Sequence, residues 1–460
     1  MSHDQTSDTA APERPKPRAV FTEGSILRHV LVMTATGSVG LIAVFVVDFL
    51  SLLYISRLGD PQLTAGIGYA SQISFLVVSI NIGLSIAVTA LVSRRIGAGE
   101  RPAAQRMAAS GLVHILILSS LVALPFLVWR EPLLARIGAT GRALETASLF
   151  TLITLPANPL MAAGMALSGI LRAVGDARRA MYVTLIGAAV TAVLDPLLIF
   201  GLGLGVKGAA ISTIVSRVVW VIVGLWGSVW VHGLVGWPRR AAIWRDLKPM
   251  MTIAAPVILT NLASPVASIY TMRIFSKFGA ETVAAFAIID RVTPVAFGVL
   301  FAMSGSVGPI VGQNVGAKRF DRLRTTLTDC YGVAFVYVVS VWGLLALGAP
   351  LVNRAFGAEG ATAELVTFFC YWGAAAWFFL GCIFAANAAF NNLGFPILST
   401  LFNWGRATLG TIPFVTLGAN LWGPPGGLVG IIAGAALFGV GAMATSYWAT
   451  GRLARRAQMA

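Results

Sequence analysis

The sequence predicts an all-α polytopic membrane protein, with twelve transmembrane helices in two six-helix lobes related by a parallel repeat. Three observations carry this expectation. Hydrophobic residues make up 57% of the 460 positions and charged residues only 11%, against about 25% charged in soluble domains, and mean hydropathy is +0.82. Such a chain cannot cover a water-facing surface. The apolar residues also come in long runs, each sufficient for the roughly 20 residues that cross a bilayer as a helix, where a barrel would show short alternating strands. Lastly, short stretches recur between the two halves at a near-constant offset.

The elements follow in order. Residues 1–25 are polar, with Pro12, Pro15 and Pro17 among charges, and read as a disordered tail. The first apolar run starts too late and is too long for a signal peptide, and no cleavage pattern follows it. Twelve apolar segments come next: 28–55, 65–92, 107–129, 146–171, 180–203, 208–232, 249–276, 283–311, 325–350, 365–391, 397–420 and 427–450. The polar stretch 233–248, with Trp237, Pro238, Arg239, Arg240, Trp244, Arg245 and Lys248, falls at the midpoint and reads as a linker. The expected organisation is a tail (1–25), a first lobe (26–232), a cytoplasmic linker (233–248), a second lobe (249–451) and a second tail (452–460).

Orientation follows from charge. With the N-terminus inside, most of the 33 basic residues fall in inner loops and tails, and eight fall outside: Arg57, Arg130, Arg136, Arg142, Lys207, Arg273, Lys277 and Arg354. The positive-inside rule therefore places both termini in the cytoplasm. Arg217, Arg291 and Arg406 sit within spans. The net charge of +15 fits basic loops against anionic lipid headgroups and needs no nucleic-acid partner. The scarcity of lysine among the basic residues points to a GC-rich bacterial genome, and the expected location is the bacterial inner membrane.

The repeat is explicit. Ile55–Gly59 (ISRLG) matches Phe275–Gly279 (FSKFG), Val92–Ala98 (VSRRIGA) matches Val311–Ala317 (VGQNVGA), and Ala173–Gly175 matches Asn392–Gly394. Two like-oriented six-span halves form a parallel repeat, an architecture of transporters with a substrate cleft at the lobes. Other classes are excluded. There is no GxxxxGK[ST] nucleotide loop and no HExxH, and GLGLG (201–205) has no βαβ context. Cys330, Cys370 and Cys382 lie in apolar runs without metal spacing.

Several stretches together resemble the multidrug and toxic compound extrusion (MATE) family over nearly the whole chain after residue 25. They are VDFLSLLYISRLGDPQLTAGIGYA (47–70), ALVSRRIGAGE (90–100), ILRAVGDARRAMY (170–182), LDPLLIFGLGLGVKGAAIST (194–213), AFAIIDRV (285–292) and GPIVGQNVGAK (308–318). The resemblance implies two lobes around a V-shaped cleft. It also implies efflux of bulky, often cationic organic compounds against inward proton or sodium flow, by a monomer without a cofactor.

Three acidic residues lie well inside spans: Asp48, Asp195 and Asp290. Each costs about 2.5–3.5 kcal/mol to insert, so each is expected to face a cavity or a partner. For Asp48 the plain alternative is an interfacial carboxylate reaching water. For Asp195, followed by Pro196, it is a helix-break aspartate satisfying loosened backbone. The resemblance places both in one polar pocket of the first lobe, the branch with first-lobe acids. A close carboxylate pair would titrate as a unit, and Asp48, Asp195, Thr191 and Ser168 are the expected ion-coupling residues. Thr191 and Ser168 stand where the resemblance expects Asn, and Phe150 where it expects Tyr. The proline expected near Met33 is missing. Fewer carbonyl oxygens favour protons over sodium. Another branch's second-lobe carboxylates are Ser264 and Gly381 here.

Asp290, Arg291, Asn261 and Asn387 are the candidate substrate-binding residues. Asn261, Asn387 and Asn403 would line a second-lobe cavity, and Met165, Phe297, Phe301 and Met303 an adaptable apolar wall. Plain helix–helix hydrogen bonding and core packing are the alternatives. Arg217 and Arg406 read as structural. The expected activity is proton-coupled antiport of amphipathic cations; sodium-coupled efflux and flipping of lipid-linked precursors are the alternatives.

Overall fold

The structure, a computed structural model, describes residues 19–459. Among these residues it is helical throughout, without strands. The spans are α1 (Ile26–Ser56), α2 (Pro61–Gly97), α3 (Arg101–Val128), α4 (Gly141–Ala173), α5 (Ala177–Gly201), α6 (Val206–Val231), α7 (Arg240–Phe278), α8 (Ala280–Gly316), α9 (Phe320–Phe356) and α10 (Gly360–Leu393). The final apolar stretch, Pro396–Arg455, is 60 residues long and holds two spans. Trp422 (φ −135°, ψ 19°) and Gly423 (φ 64°, ψ −149°) leave the helical region, and Pro424 and Pro425 follow. Glycine adopts the left-handed backbone freely, and two prolines remove consecutive donors. The chain reverses there into α11 (396–421) and α12 (424–455). Their backbones touch: a Cβ added at Gly418 would strike the Gly426 carbonyl, and one at Gly434 that of Gly410. Eleven apolar stretches thus make the twelve expected spans.

Helix starts carry their own signals. Asp60 caps α2, its Oδ1 accepting from the Gln62 amide at 2.9 Å, with Pro61 in the first position. This is the favoured acid–proline start. The three repeated stretches end in matching left-handed turns: Gly59 (φ 80°) and Gly279 (φ 99°), Gly175 (φ 86°) and Gly394 (φ 90°), and Gly99 (φ 74°) opposite Lys318 (φ 57°). The duplicated letters are duplicated hairpin geometry.

All odd-numbered spans start at the face where α1 begins and α12 ends, here the terminal face. The lobes meet there. α1 packs on α8, and α2 on α7 and α8. A Cβ at Gly97 would overlap the Gln313 carbonyl, and one at Gly316 the Arg94 carbonyl. Arg94 donates to the Asn391 carbonyl at 2.6 Å, and Gln313, its repeat counterpart, donates to the Ala173 carbonyl at 2.7 Å. Ser306 adds a bond to the Met33 carbonyl at 3.0 Å.

Two expectations about the connections are corrected. Residues 1–18 of the tail lie outside the described residues, but Val20–Thr22 form a 3-10 turn and Phe21 is buried. The Phe21 amide donates to Gln313 Oε1 at 2.9 Å, and Asn314 donates to the Phe21 carbonyl at 3.1 Å. An aromatic side chain and pairable backbone make this end of the tail a strap. The linker is likewise helical from Arg240 on. Asp246 within it is buried, accepting from Arg106 at 3.2 Å and Ser110 at 2.8 Å on α3. The linker's other end is tied down through Asp176, which caps α5. Its carboxylate accepts from the Arg179 side chain at 2.6 Å and from His232 at 2.8 Å. Burial alone would raise the Asp176 pKa; the hydrogen bonds from His232 and Arg179 outweigh it and hold the carboxyl down to about 2.

Candidate functional site

Every hydrogen bond that joins α1–α6 to α7–α12 among the described residues lies between mid-depth and the terminal face. Toward the opposite face the lobes separate, and the wall of the resulting cleft carries charge. Asp48 is accessible to water although protein surrounds it on most sides. It sits on α1 eight residues before the helix ends, within electrostatic reach of Arg217 on α6 and Asp195 on α5. The structure therefore brings the two first-lobe acids together.

Asp195 differs from Asp48 in being buried, at 1% exposure. The Ser51 hydroxyl binds its Oδ2. Ser51 lies three residues after Asp48, so the two share a helix face. The Ser212 hydroxyl of α6 is a second neighbour of the Asp195 carboxylate, close to Oδ1 but outside good hydrogen-bond geometry. Ser51 also contacts the Val47 carbonyl at 3.0 Å. A hydroxyl has one proton and cannot donate to both. When Asp195 is ionised, Ser51 donates to it and gives up Val47. When Asp195 is protonated, it donates to Ser51, and Ser51 donates to Val47. The α1–α5 contact thus admits two hydrogen-bond arrangements that differ by one proton.

The backbone supports this position. Pro196 lacks the N–H that would meet the carbonyl four residues earlier. The helix does not break before it; α5 widens instead into a π-turn over Leu197–Gly201, a distortion common at functional sites.

Of the remaining expected coupling residues, Thr191 stands one helical turn before Asp195 and Ser168 lies elsewhere. Thr191 donates to the Gly187 carbonyl of its own helix at 3.2 Å, not to Asp195. Ser168 donates to the Ala180 carbonyl at 3.1 Å and accepts from Arg172 at 3.1 Å. Ala180 and Asp195 are 15 positions apart on α5, about 22 Å at 1.5 Å per residue. Ser168 therefore belongs to the terminal end of the lobe and not to the acid pocket.

Among the substrate candidates, Asp290 and Arg291 are both exposed, with neither hydrogen bonds nor ion pairs among the described residues. They remain free on α8. Asn261 does not line a second-lobe cavity: its amide donates across the seam to the Ser79 carbonyl at 3.0 Å. Asn387 accepts from Asn403 at 3.1 Å in a buried cluster with Ser399 and Asn391. Phe297 and Met303 are core residues, buried to 0% and 1% exposure. Phe297 stacks on Trp377 at 4.8 Å, and partly exposed Phe301 packs edge-on against the same ring. Arg217 donates to the Thr154 carbonyl at 2.5 Å, as a structural arginine would, but it also faces Asp48. Sequence reasoning missed Ser51, Ser212 and this second role of Arg217. Only Ser51 left a signal, its three-residue spacing from Asp48.

The MatE family model matches residues 38–197 and again 256–416, once per lobe. The chain belongs to the MatE family. It is therefore a multi-pass membrane transporter and not an enzyme. A curated FAD transporter of Shewanella oneidensis is 27% identical over 425 residues, covering 90% of this chain and 93% of that one. The multidrug export protein MepA of Staphylococcus aureus is 20% identical over 405 residues, 87% and 86% of the two chains. Among solved structures, the Vibrio cholerae MATE transporter VcmN in its bent form superposes with a TM-score of 0.88 at 23% identity, covering 95% of this chain and 98% of that one. An outward-facing multidrug resistance MATE transporter gives 0.89 at 22%, covering 96% and 100%. These likenesses fix the MatE fold: two lobes, with the cleft between them.

Proposed function

We propose that this MatE protein is an efflux antiporter of the bacterial inner membrane, exporting amphipathic, often cationic organic compounds against inward proton flow through Asp48 and Asp195. The observation that carries the reading is the Ser51 hydroxyl set between Asp195 and the Val47 carbonyl, two acceptors for one proton. Asp48, open to the cleft, receives a proton from water. Transfer to Asp195 reverses the Ser51 bond and changes how α1 seats on α5. Repacking of α1 then narrows the cleft and expels substrate. Arg217 beside Asp48 keeps the ionised acid tolerable in a poorly hydrated wall and releases it once it is protonated. With both termini in the cytoplasm, the closed terminal face makes this the outward-open state of the cycle.

A second substrate class is favoured by the FAD-transporting relative and by Arg291, an exposed arginine of α8 with no carboxylate bonded to it. An anionic dinucleotide would pair with that guanidinium. The deciding experiment is efflux from proteoliposomes under an imposed pH gradient, with and without sodium, using ethidium and FAD as alternative cargo. Ethidium movement driven by pH alone, and lost in Asp48→Asn and Asp195→Asn, upholds the reading. FAD movement without ethidium movement replaces the cargo. A requirement for sodium replaces the coupling ion.

A further inference from the structure

The first-lobe groove between the start of α3 and the end of α6 is filled. The chain leaving α6 lies in it, with Arg101 donating to the His232 carbonyl at 3.2 Å and Gln105 to the Gly233 carbonyl at 2.7 Å. Leu234 there is fully buried. The repeat-related groove in the second lobe, between the start of α9 and the end of α12, is not filled this way, because the helix continues straight to Met459. It holds an open cavity of about 860 Å³ lined by Lys318, Asp321, Arg324, Tyr447, Trp448 and Thr450, among others.

The chemistry of this cavity is one-sided. Asp321, its carboxylate, is already engaged by Arg319 through two bonds of 3.2 and 3.1 Å. Lys318 and Arg324 form no ion pair among the described residues. Arg452 lies at the rim, its guanidinium 5.2 Å over the Trp448 ring. The Thr328 hydroxyl and Tyr447 phenol, 2.9 Å apart, add polar atoms at the inner end. Lys318 is the one non-glycine residue with positive φ among the described residues, and its counterpart Gly99 adopts the same turn without strain. Side chains are disfavoured in that backbone region, so the second lobe keeps an ammonium where glycine would be easier.

Above the cavity both helices turn apolar on the same faces. Phe335 and Val339 on α9, and Leu437 and Val440 on α12, are all exposed. Trp448 sits where the polar and apolar parts meet, the usual place for an aromatic at a membrane interface. A soluble anion would use only the basic end. A phospholipid uses both, with its phosphate among the cations and its acyl chains along the flanking faces.

We propose that this groove is a binding site for one anionic phospholipid of the leaflet at the terminal face, held through its phosphate by Lys318 and Arg324. The inference is independent of the transported cargo. The test is native mass spectrometry of the purified full chain, titrated with phosphatidylglycerol or phosphatidylcholine. The parent is expected to retain phosphatidylglycerol about tenfold more tightly, and Arg324→Gln and the double variant with Lys318→Gly to lose that preference. Lys318→Gly relaxes the backbone, and Arg324→Gln read alone covers a double variant that fails to fold. Equal retention of the two lipids overturns the proposal, as does an unchanged preference in Arg324→Gln. Displacement of the bound lipid by millimolar inorganic phosphate also overturns it, by making this a site for a soluble anion.

Discussion

The two lobes share helices, turns and seam contacts but not charge. In the first, Asp48, Asp195 and Arg217 sit within reach of one another. In the second, the corresponding spans α7 (from Pro249) and α11 contain no carboxylate, and Asp48 is replaced by Ser268. That interior is filled by the Asn387, Asn391, Asn403 and Ser399 cluster and by stacked aromatics around Trp377. Amides and rings do not change charge between pH 5 and 8; a buried carboxylate can. Duplication supplied a symmetrical frame, and on the proposed function the two halves then specialised, one for carrying a proton and the other for packing.

Breaking the asymmetry directly is expected to have the largest effect. Asp195→Asn, or Asp48→Ser to copy the second lobe, should lower pH-driven efflux by at least about tenfold, while Ser268→Ala leaves it near the parent rate. Equal sensitivity of the two lobes in the vesicle assay would refute the division. The seam comes next. Gly97→Leu places a side chain against the Gln313 backbone, an overpacking worth about 1–3 kcal/mol. Spin–spin distances between probes at the terminal ends of α2 and α8 should then shift to longer values, and unchanged distances would show that the seam is not closed through these glycines.

A comparable effect is expected at the Asp176 clamp, which has no second-lobe twin. Asp176→Asn should cost about 2 kcal/mol at neutral pH. The folded pKa lies below the unfolded value of 3.8, so the stabilisation is complete above about pH 4 and disappears as pH falls through about 2. Melting temperatures of parent and variant should run parallel from pH 5 to 8 and converge in acid. The smallest effect is expected at Lys318, where glycine should raise stability by about 1 kcal/mol. Gly99→Lys should lower it similarly, both read as shifts in the midpoint of thermal unfolding.

The spans were legible because each carries enough apolar side chains to face lipid, a property of composition along a short window. The reversal at Trp422–Pro425 was legible as a gap between runs, although the helical hydrogen bonding nearly bridges it. Asp48 and Asp195 stood out as costly residues inside spans, Asp195 with a proline beside it. What failed was placement across helices. Ser168 and Thr191 were assigned from likeness of position, but a hydroxyl on a membrane helix bonds whichever carbonyl its rotamer reaches: Ser168 bonds Ala180 at the far end of α5, and Thr191, one turn from Asp195, bonds its own helix. Asn261 was misplaced for the same reason. The burial of Asp246 left no signal in the sequence, because its partners Arg106 and Ser110 belong to another helix.

The strap at Ala19–Gly24 bears on how the protein is made. Its partners, Gln313, Asn314 and Arg322, lie 292, 293 and 301 positions downstream of Phe21. At translation speeds of about 5–20 residues per second, those partners leave the ribosome about 15 s or more after Phe21 does. During that interval an apolar aromatic waits without its socket while seven spans and most of an eighth are made. The segment synthesised early is thus among the last to be seated, and its docking reports that the second lobe has arrived.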